Sequence, residues 1–112
     1  MAGERGSALA AALVMIVAMA TMAQAAVVTW GIPPNPGSLT VSQSEPVTFN
    51  FVANQHDLVA VNEQQYNQCD AGSSPTKIPP KTAVTLKKGK NYFICTIGQH
   101  CIKGMKITIT AT

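Results

Sequence analysis

The sequence predicts an all-β fold, an antiparallel sandwich or barrel of about seven short strands. Three observations carry that expectation. Apolar and polar residues alternate with period two in short, evenly spaced segments, Pro- and Gly-rich stretches separate those segments, and no segment has a convincing amphipathic helical period. Ahead of this domain stands a different kind of segment. Residues 1–25 carry only Glu4 and Arg5 as charges, then an apolar run from Ala8 to Met22, then Ala23-Gln24-Ala25. A short charged start, an apolar stretch and a small-x-small end make a secretory signal peptide, cleaved after Ala25. A membrane anchor is the competing reading, but a spanning helix needs about 20 apolar residues and this run is shorter.

The remaining elements follow in order. Val27-Val28-Thr29-Trp30 is a short apolar start, ended by the loop Gly31 to Ser38 with its prolines and glycines. Leu39 and Val41 alternate with polar residues, Ser42 to Pro46 reads as a turn, and Val47, Phe49 and Phe51 alternate again. Leu58 to Val61 is a branched, apolar run that suits a buried strand, and the polar stretch Asn62 to Asp70 has room for a helical turn. After a loop holding Pro75, Pro79 and Pro80, strands are expected at Thr82–Leu86, Asn91–Cys95 and Lys106–Thr110. The first two of these would form a hairpin through Lys87-Lys88-Gly89-Lys90. In the last, Met105, Ile107 and Ile109 share one face.

A mature domain of residues 26–112 is long enough for one core and too short for two, which excludes multidomain enzymes and multi-span channels. Apart from Arg5, the eight basic residues are lysines, and all of them lie from Lys77 onward, where no acid occurs. Glu45, Asp57, Glu63 and Asp70 all precede them. Such a surface favours anionic partners, an acidic protein or an anionic cell-wall polymer, although a merely solubilising surface is an equally open reading. With no clustered arginine and no aromatic stripe, nucleic-acid binding is not expected.

All three cysteines, Cys69, Cys95 and Cys101, fall in the mature domain. Export delivers them to an oxidising compartment, where thiols pair, and three cannot all pair within one chain. The segment Tyr92-Phe93-Ile94-Cys95-Thr96-Ile97-Gly98-Gln99-His100-Cys101-Ile102-Lys103-Gly104-Met105 sets Cys95, His100 and Met105 apart by four residues each. If the strands carrying Cys95 and Met105 are neighbours, the loop between them brings all three side chains to one place. A thiolate, an imidazole and a weak thioether suit a copper ion that cycles between Cu(II) and Cu(I). The other histidine, His56, heads the apolar strand and would complete a His2Cys plane with an axial Met. Taken singly, each residue has an ordinary explanation: an exposed His, a core Met, half of a disulfide. The copper reading uses both histidines and accounts for the odd cysteine. It leaves Cys69 and Cys101 to form a disulfide whose loop of about 33 residues would stabilise the fold by roughly 3–4 kcal/mol.

This pattern resembles the phytocyanins, plant blue copper proteins with a cupredoxin-like Greek-key β-sandwich. The resemblance rests on aromatic-Phe-Ile-Cys, four residues, His-Cys, two residues, Gly-Met-Lys, on His56-Asp57 heading a strand, and on Tyr66-x-x-Cys69. It spans about residues 47–110. It implies that His56, Cys95, His100 and Met105 hold one type 1 copper ion and that Cys69 pairs with Cys101. Met105 in the axial place is nearer the plantacyanin (basic blue protein) and uclacyanin branches than the stellacyanins, and the basic balance favours plantacyanin. Two departures stand out: the stretch after Trp30 is shorter than the family's, and Asp57 follows the first ligand where Asn is common. An ionised carboxylate there, directed at the site, would stabilise Cu(II) and lower the potential.

The resemblance and the residues together imply a secreted, extracellular, monomeric electron carrier of the apoplast or cell wall, not an enzyme, with an unidentified redox partner. A signalling or cell-wall interaction protein that keeps copper as a structural or vestigial feature is the alternative. A thiol enzyme using Cys95 and His100 would need an orienting group and an oxyanion site, and neither is legible. No Asn-x-Ser/Thr acceptor occurs, so N-glycosylation is not expected. No hydrophobic C-terminal tail follows Ala111-Thr112, so neither a GPI anchor nor stable membrane insertion after cleavage is expected.

Overall fold

The computed structural model describes residues 25–112, so the expected signal peptide at residues 1–25 lies, but for Ala25, outside the described residues. Six strands and one helix form among them: β1 (Ala26–Thr29), β2 (Leu39–Val41), β3 (Val47–Asn50), β4 (Val59–Val61), α1 (Glu63–Gln68), β5 (Gly89–Ile94) and β6 (Lys106–Ala111). They build a two-stranded sheet, β1-β3, and a four-stranded sheet in the order β2-β6-β5-β4.

The pairing is not purely antiparallel, as the periodicity led us to expect. β5 runs antiparallel to both β4 and β6, but β1 pairs parallel with β3 and β2 parallel with β6. The cause is the path of the chain. β2 leaves the two-stranded sheet to join the other one, so β1 and β3 meet without a hairpin between them. Period-two alternation marks a strand and its buried face but carries no information about the direction of its neighbour.

The expected strand Thr82–Leu86 does not form. Pro79 and Pro80 precede it, Lys81 takes a positive φ of 60°, and only Val84 makes a bridge, to Val47 of β3. Its alternation was a true burial signal, since Val84 packs against the core and Leu86 is buried within it, but the backbone makes no ladder. The expected hairpin with residues 91–95 is replaced by a side chain. Lys87 N–H donates to Asn91 Oδ1 at 2.9 Å, and Asn91 Nδ2 donates back to the Lys87 carbonyl at 2.8 Å. Gly89, with φ of 101°, opens β5 in a conformation that side-chain-bearing residues rarely adopt.

Inward-facing residues of both sheets make one core. In β6, Ile107, Ile109 and Ala111 are buried while Lys106, Thr108 and Thr110 are half-buried, as the alternation requires. Trp30 packs edge-on to Phe49 with ring centroids 5.3 Å apart, and Phe49 meets Phe93 at 5.0 Å, linking the two sheets. Contacts of this kind contribute about 0.5–1.5 kcal/mol each beyond the area they bury.

The helical turn expected within Asn62 to Asp70 is α1. Asn62 caps it: its Oδ1 accepts the Gln65 N–H at 2.8 Å and its own N–H donates to Gln65 Oε1 at 3.0 Å. The helix stops at Cys69, whose φ is 52°. Tyr66 fixes α1 onto the four-stranded sheet by packing on Tyr92 at 5.2 Å, with the Lys106 ammonium 4.4 Å from the Tyr66 ring centroid. Cys69 is thereby delivered beside the loop that follows β5.

Candidate metal centre

Three of the residues singled out in the sequence meet at one end of the sandwich. His56 lies in the turn before β4, Cys95 directly after β5, and His100 in the turn between β5 and β6. One ligand atom from each lies within 4.8 Å of the other two. The two imidazoles face each other through their Nδ1 atoms, 3.2 Å apart, and Cys95 Sγ is 3.6 Å from His100 Nδ1. Bonds of about 2.0 Å to nitrogen and about 2.3 Å to sulfur, the lengths found for a first-row ion such as zinc, would set such donors about 3.2–3.7 Å apart when they meet at tetrahedral or trigonal angles. The donor set therefore fits a single small ion of a type that accepts both thiolate and imidazole.

Met105 enters through the backbone. Its N–H donates to the His100 carbonyl at 2.8 Å, and its carbonyl accepts the Cys95 N–H at 3.1 Å, so the loop from Cys95 to Met105 closes on itself. Its side chain is fully buried with Cys95 in the core cluster, and both histidines are half-buried. Gly98 and Gly104, at φ of 52° and 110°, let that loop make its two sharp turns.

The disulfide forms as expected: Cys69 and Cys101 are bonded, with their Cα atoms 5.7 Å apart, and Cys95 is free. Because Cys101 follows His100 directly, the bridge ties the imidazole's backbone to the end of α1.

Asp57 does something other than project a free charge at the site. Its carboxylate accepts the Thr96 N–H at 2.6 Å and the Thr96 hydroxyl, and forms an ion pair with Lys77 at 3.5 Å. Burial would raise its pKa, but the hydrogen bonds from Thr96, with help from Cys95 and the Lys77 charge, outweigh that and hold it below the usual carboxylate value. Trp30 Nε1 donates to the Asp57 carbonyl at 2.7 Å, fixing the same residue from the core side. The sequence reading missed Thr96 and Trp30, since neither type signals a metal site. The adjacency of Thr96 to Cys95 was the available clue. Burial pushes the Cys95 thiol up, and the backbone N–H groups of Asp57 and Ile97 pull the other way without overcoming it. An ion that binds there must displace a proton.

Fold and donor set together define a copper protein of the cupredoxin type. A family model for the plastocyanin-like domain matches residues 40–105. The basic blue protein of Arabidopsis thaliana is 39% identical over 69 residues, covering 58% of this chain and 51% of that protein. Chemocyanin of Lilium longiflorum is 34% identical over 86 residues, covering 74% and 67%. Among solved structures, spinach plantacyanin superposes with a TM-score of 0.66 at 31% identity, covering 77% of this chain and 97% of that one. Cucumber stellacyanin shares the fold, with a TM-score of 0.64 at 24% identity, covering 82% and 99%. The chain belongs to the phytocyanin family of blue copper proteins, and copper is its cofactor. It spans 51%, 37% and 38% of the lengths of the Arabidopsis basic blue protein and the Arabidopsis and Pisum sativum blue copper proteins.

Proposed function

We propose that the protein is a secreted single-electron carrier in which His56, Cys95, His100 and Met105 hold one copper ion. The observation that supports this most is the convergence of one ring nitrogen from each of His56 and His100 on the free, buried Cys95 thiol, the three ligand atoms lying within 4.8 Å of one another. Copper bound by thiolate, imidazole and thioether supplies a one-electron couple between Cu(II) and Cu(I). The chain's own residues do the rest. The Cys69–Cys101 bridge and the Asp57–Thr96 hydrogen bonds hold the donors in place, so little has to move when the charge changes. Cys95 gives up its proton, and the N–H groups of Asp57 and Ile97 are then donors to the thiolate. Ile97, Gly98 and Gln99 beside His100 carry no charge, which lets a partner approach the imidazole edge closely.

In this reading residues 1–25 are the cleaved signal peptide, residues 26–112 the copper domain, and the working place the apoplast or cell wall. No helix among the described residues is long and apolar enough to cross a membrane. A four-donor set leaves no open position for a substrate, so the protein is not an enzyme. The segregation of lysines favours a second reading, a cell-wall or signalling protein with copper in a structural part; copper-independent binding to acidic wall polymers, without fast electron self-exchange, would single it out.

The test is to add Cu(II) to the purified protein and record the visible spectrum. An intense sulfur-to-copper charge-transfer band is expected. It should vanish in Cys95→Ser and in His56→Ala, and persist in Met105→Gln with a lower reduction potential. A band that survives Cys95→Ser would refute the thiolate assignment.

A further inference from the structure

The missing hairpin leaves a slot in the side of the sandwich. Segment 82–87 swings away so that Val84 can bridge to Val47, and β4 stops at Val61, opposite Tyr92. β5 begins three residues earlier in the sheet, at Gly89, and so runs past the end of β4. Cys95 N–H donates across to Met105 on the β6 side. In an antiparallel ladder successive residues direct their N–H and C=O to opposite sides, so odd-numbered residues of β5 face β6 and even-numbered ones face β4. Tyr92 and Ile94 find β4 there, while Lys90 finds the slot. The result is a short open sheet edge inside a groove of about 780 Å³, within the range of binding clefts.

Charge decides what fits. Lys77, Lys87 and Lys90 line the groove, against Glu63 as its one acid. Lys77 is shared with Asp57, in the only ion pair among the described residues, which leaves Lys87 and Lys90 without a counter-charge. Open sheet edges pair with extended chains, and edge lysines turn away chains of like charge. A second copy of this protein, with net charge +3, is disfavoured on that ground, whereas a strand bearing carboxylates is attracted.

We propose that this slot docks an extended acidic segment of a partner protein, which pairs its main chain with Lys90 and sets its carboxylates against Lys87 and Lys90. Strand addition supplies main-chain hydrogen bonds, and the lysines select for acidic side chains. The site is independent of the copper reading and would stand if that reading fell.

The test uses a fluorescein-labelled decapeptide alternating Glu with Val and Thr, titrated with the purified protein and followed by anisotropy. Lys90→Gln should weaken binding about tenfold or more, and Lys90→Arg should restore most of it. Lys103→Gln, an equal loss of charge outside the groove, should change the affinity less than about twofold. A peptide N-methylated at alternate residues should also bind at least about tenfold more weakly. The proposal is overturned by an absence of binding, by equal losses in the Lys90 and Lys103 variants, or by full affinity of the N-methylated peptide. It is likewise overturned if a polygalacturonate oligomer binds more tightly than the peptide with the same dependence on Lys90, which would make this a saccharide site.

Discussion

Asp57 and Thr96 stand 39 positions apart in the chain, yet the carboxylate of the first accepts both the backbone N–H and the hydroxyl of the second. Each is the immediate neighbour of a candidate donor, His56 on one side and Cys95 on the other. The pair therefore carries the β4–β5 pairing on past its last ladder residues to the two donors, and it does so with an ionised group that is only 5% exposed.

Removing that acceptor should cost stability. Hydrogen bonds to a charged group contribute about 1.5–3 kcal/mol. Asp57→Ala is expected to lose about 2–3 kcal/mol in urea unfolding, and Asp57→Asn, which keeps one acceptor, about 1 kcal/mol. Lys77→Gln should stay within about 0.5 kcal/mol, because its side chain is 62% exposed and water screens the pair.

The same group sets a pH dependence. Its pKa is lowered in the folded protein from the ordinary carboxylate value of 3.8, so between the two values the folded state binds fewer protons than the unfolded one. Its stabilising contribution is complete above about pH 5 and disappears as the pH falls below 3.8 through the folded value. Thermal unfolding followed from pH 6 to pH 2 should show this loss, and Asp57→Asn should show a shallower acid limb.

The bridge between Cys69 and Cys101 closes a separation of 32 residues. By the chain-entropy relation, the double variant Cys69→Ala/Cys101→Ala should lose about 3–4 kcal/mol. Equilibrium denaturation of the metal-free protein isolates this effect, since the bridge also holds His100 and would alter metal affinity.

Phe49 touches both Trp30 and Phe93 and is 1% exposed, so it is the aromatic that joins the sheets. Phe49→Ala should destabilise by about 3–5 kcal/mol, measured by the urea midpoint. A much smaller loss would show that the two sheets can collapse onto the cavity.

What the sequence disclosed and what it hid divide along a physical line. Side-chain chemistry was legible: Cys95 and His100 on one loop and His56 heading a buried strand are three donors that the fold brings together, and Cys69 and Cys101 form the bridge. Burial was legible too, as Ile107 and Ile109 in β6 illustrate. Hydrogen-bond partners were not. Thr82–Leu86 shows the alternation of a strand, but Asn91 takes the bonds its hairpin would have made. The parallel partners of β1 and β2 lie far along the chain, and nothing local distinguishes them. The purpose of Asp57 was hidden for the same reason, because Thr96 becomes its neighbour only after folding.

The parallel pairing of β2 with β6 has a consequence for how the molecule is made. Thr112 reaches back 71 positions to the carbonyl of Val41, so β2, unlike β1 and β3, has no ladder partner until β6 has been synthesised. A sheet wired by such a distant contact closes late, so the four-stranded sheet is expected to be the slow step of folding.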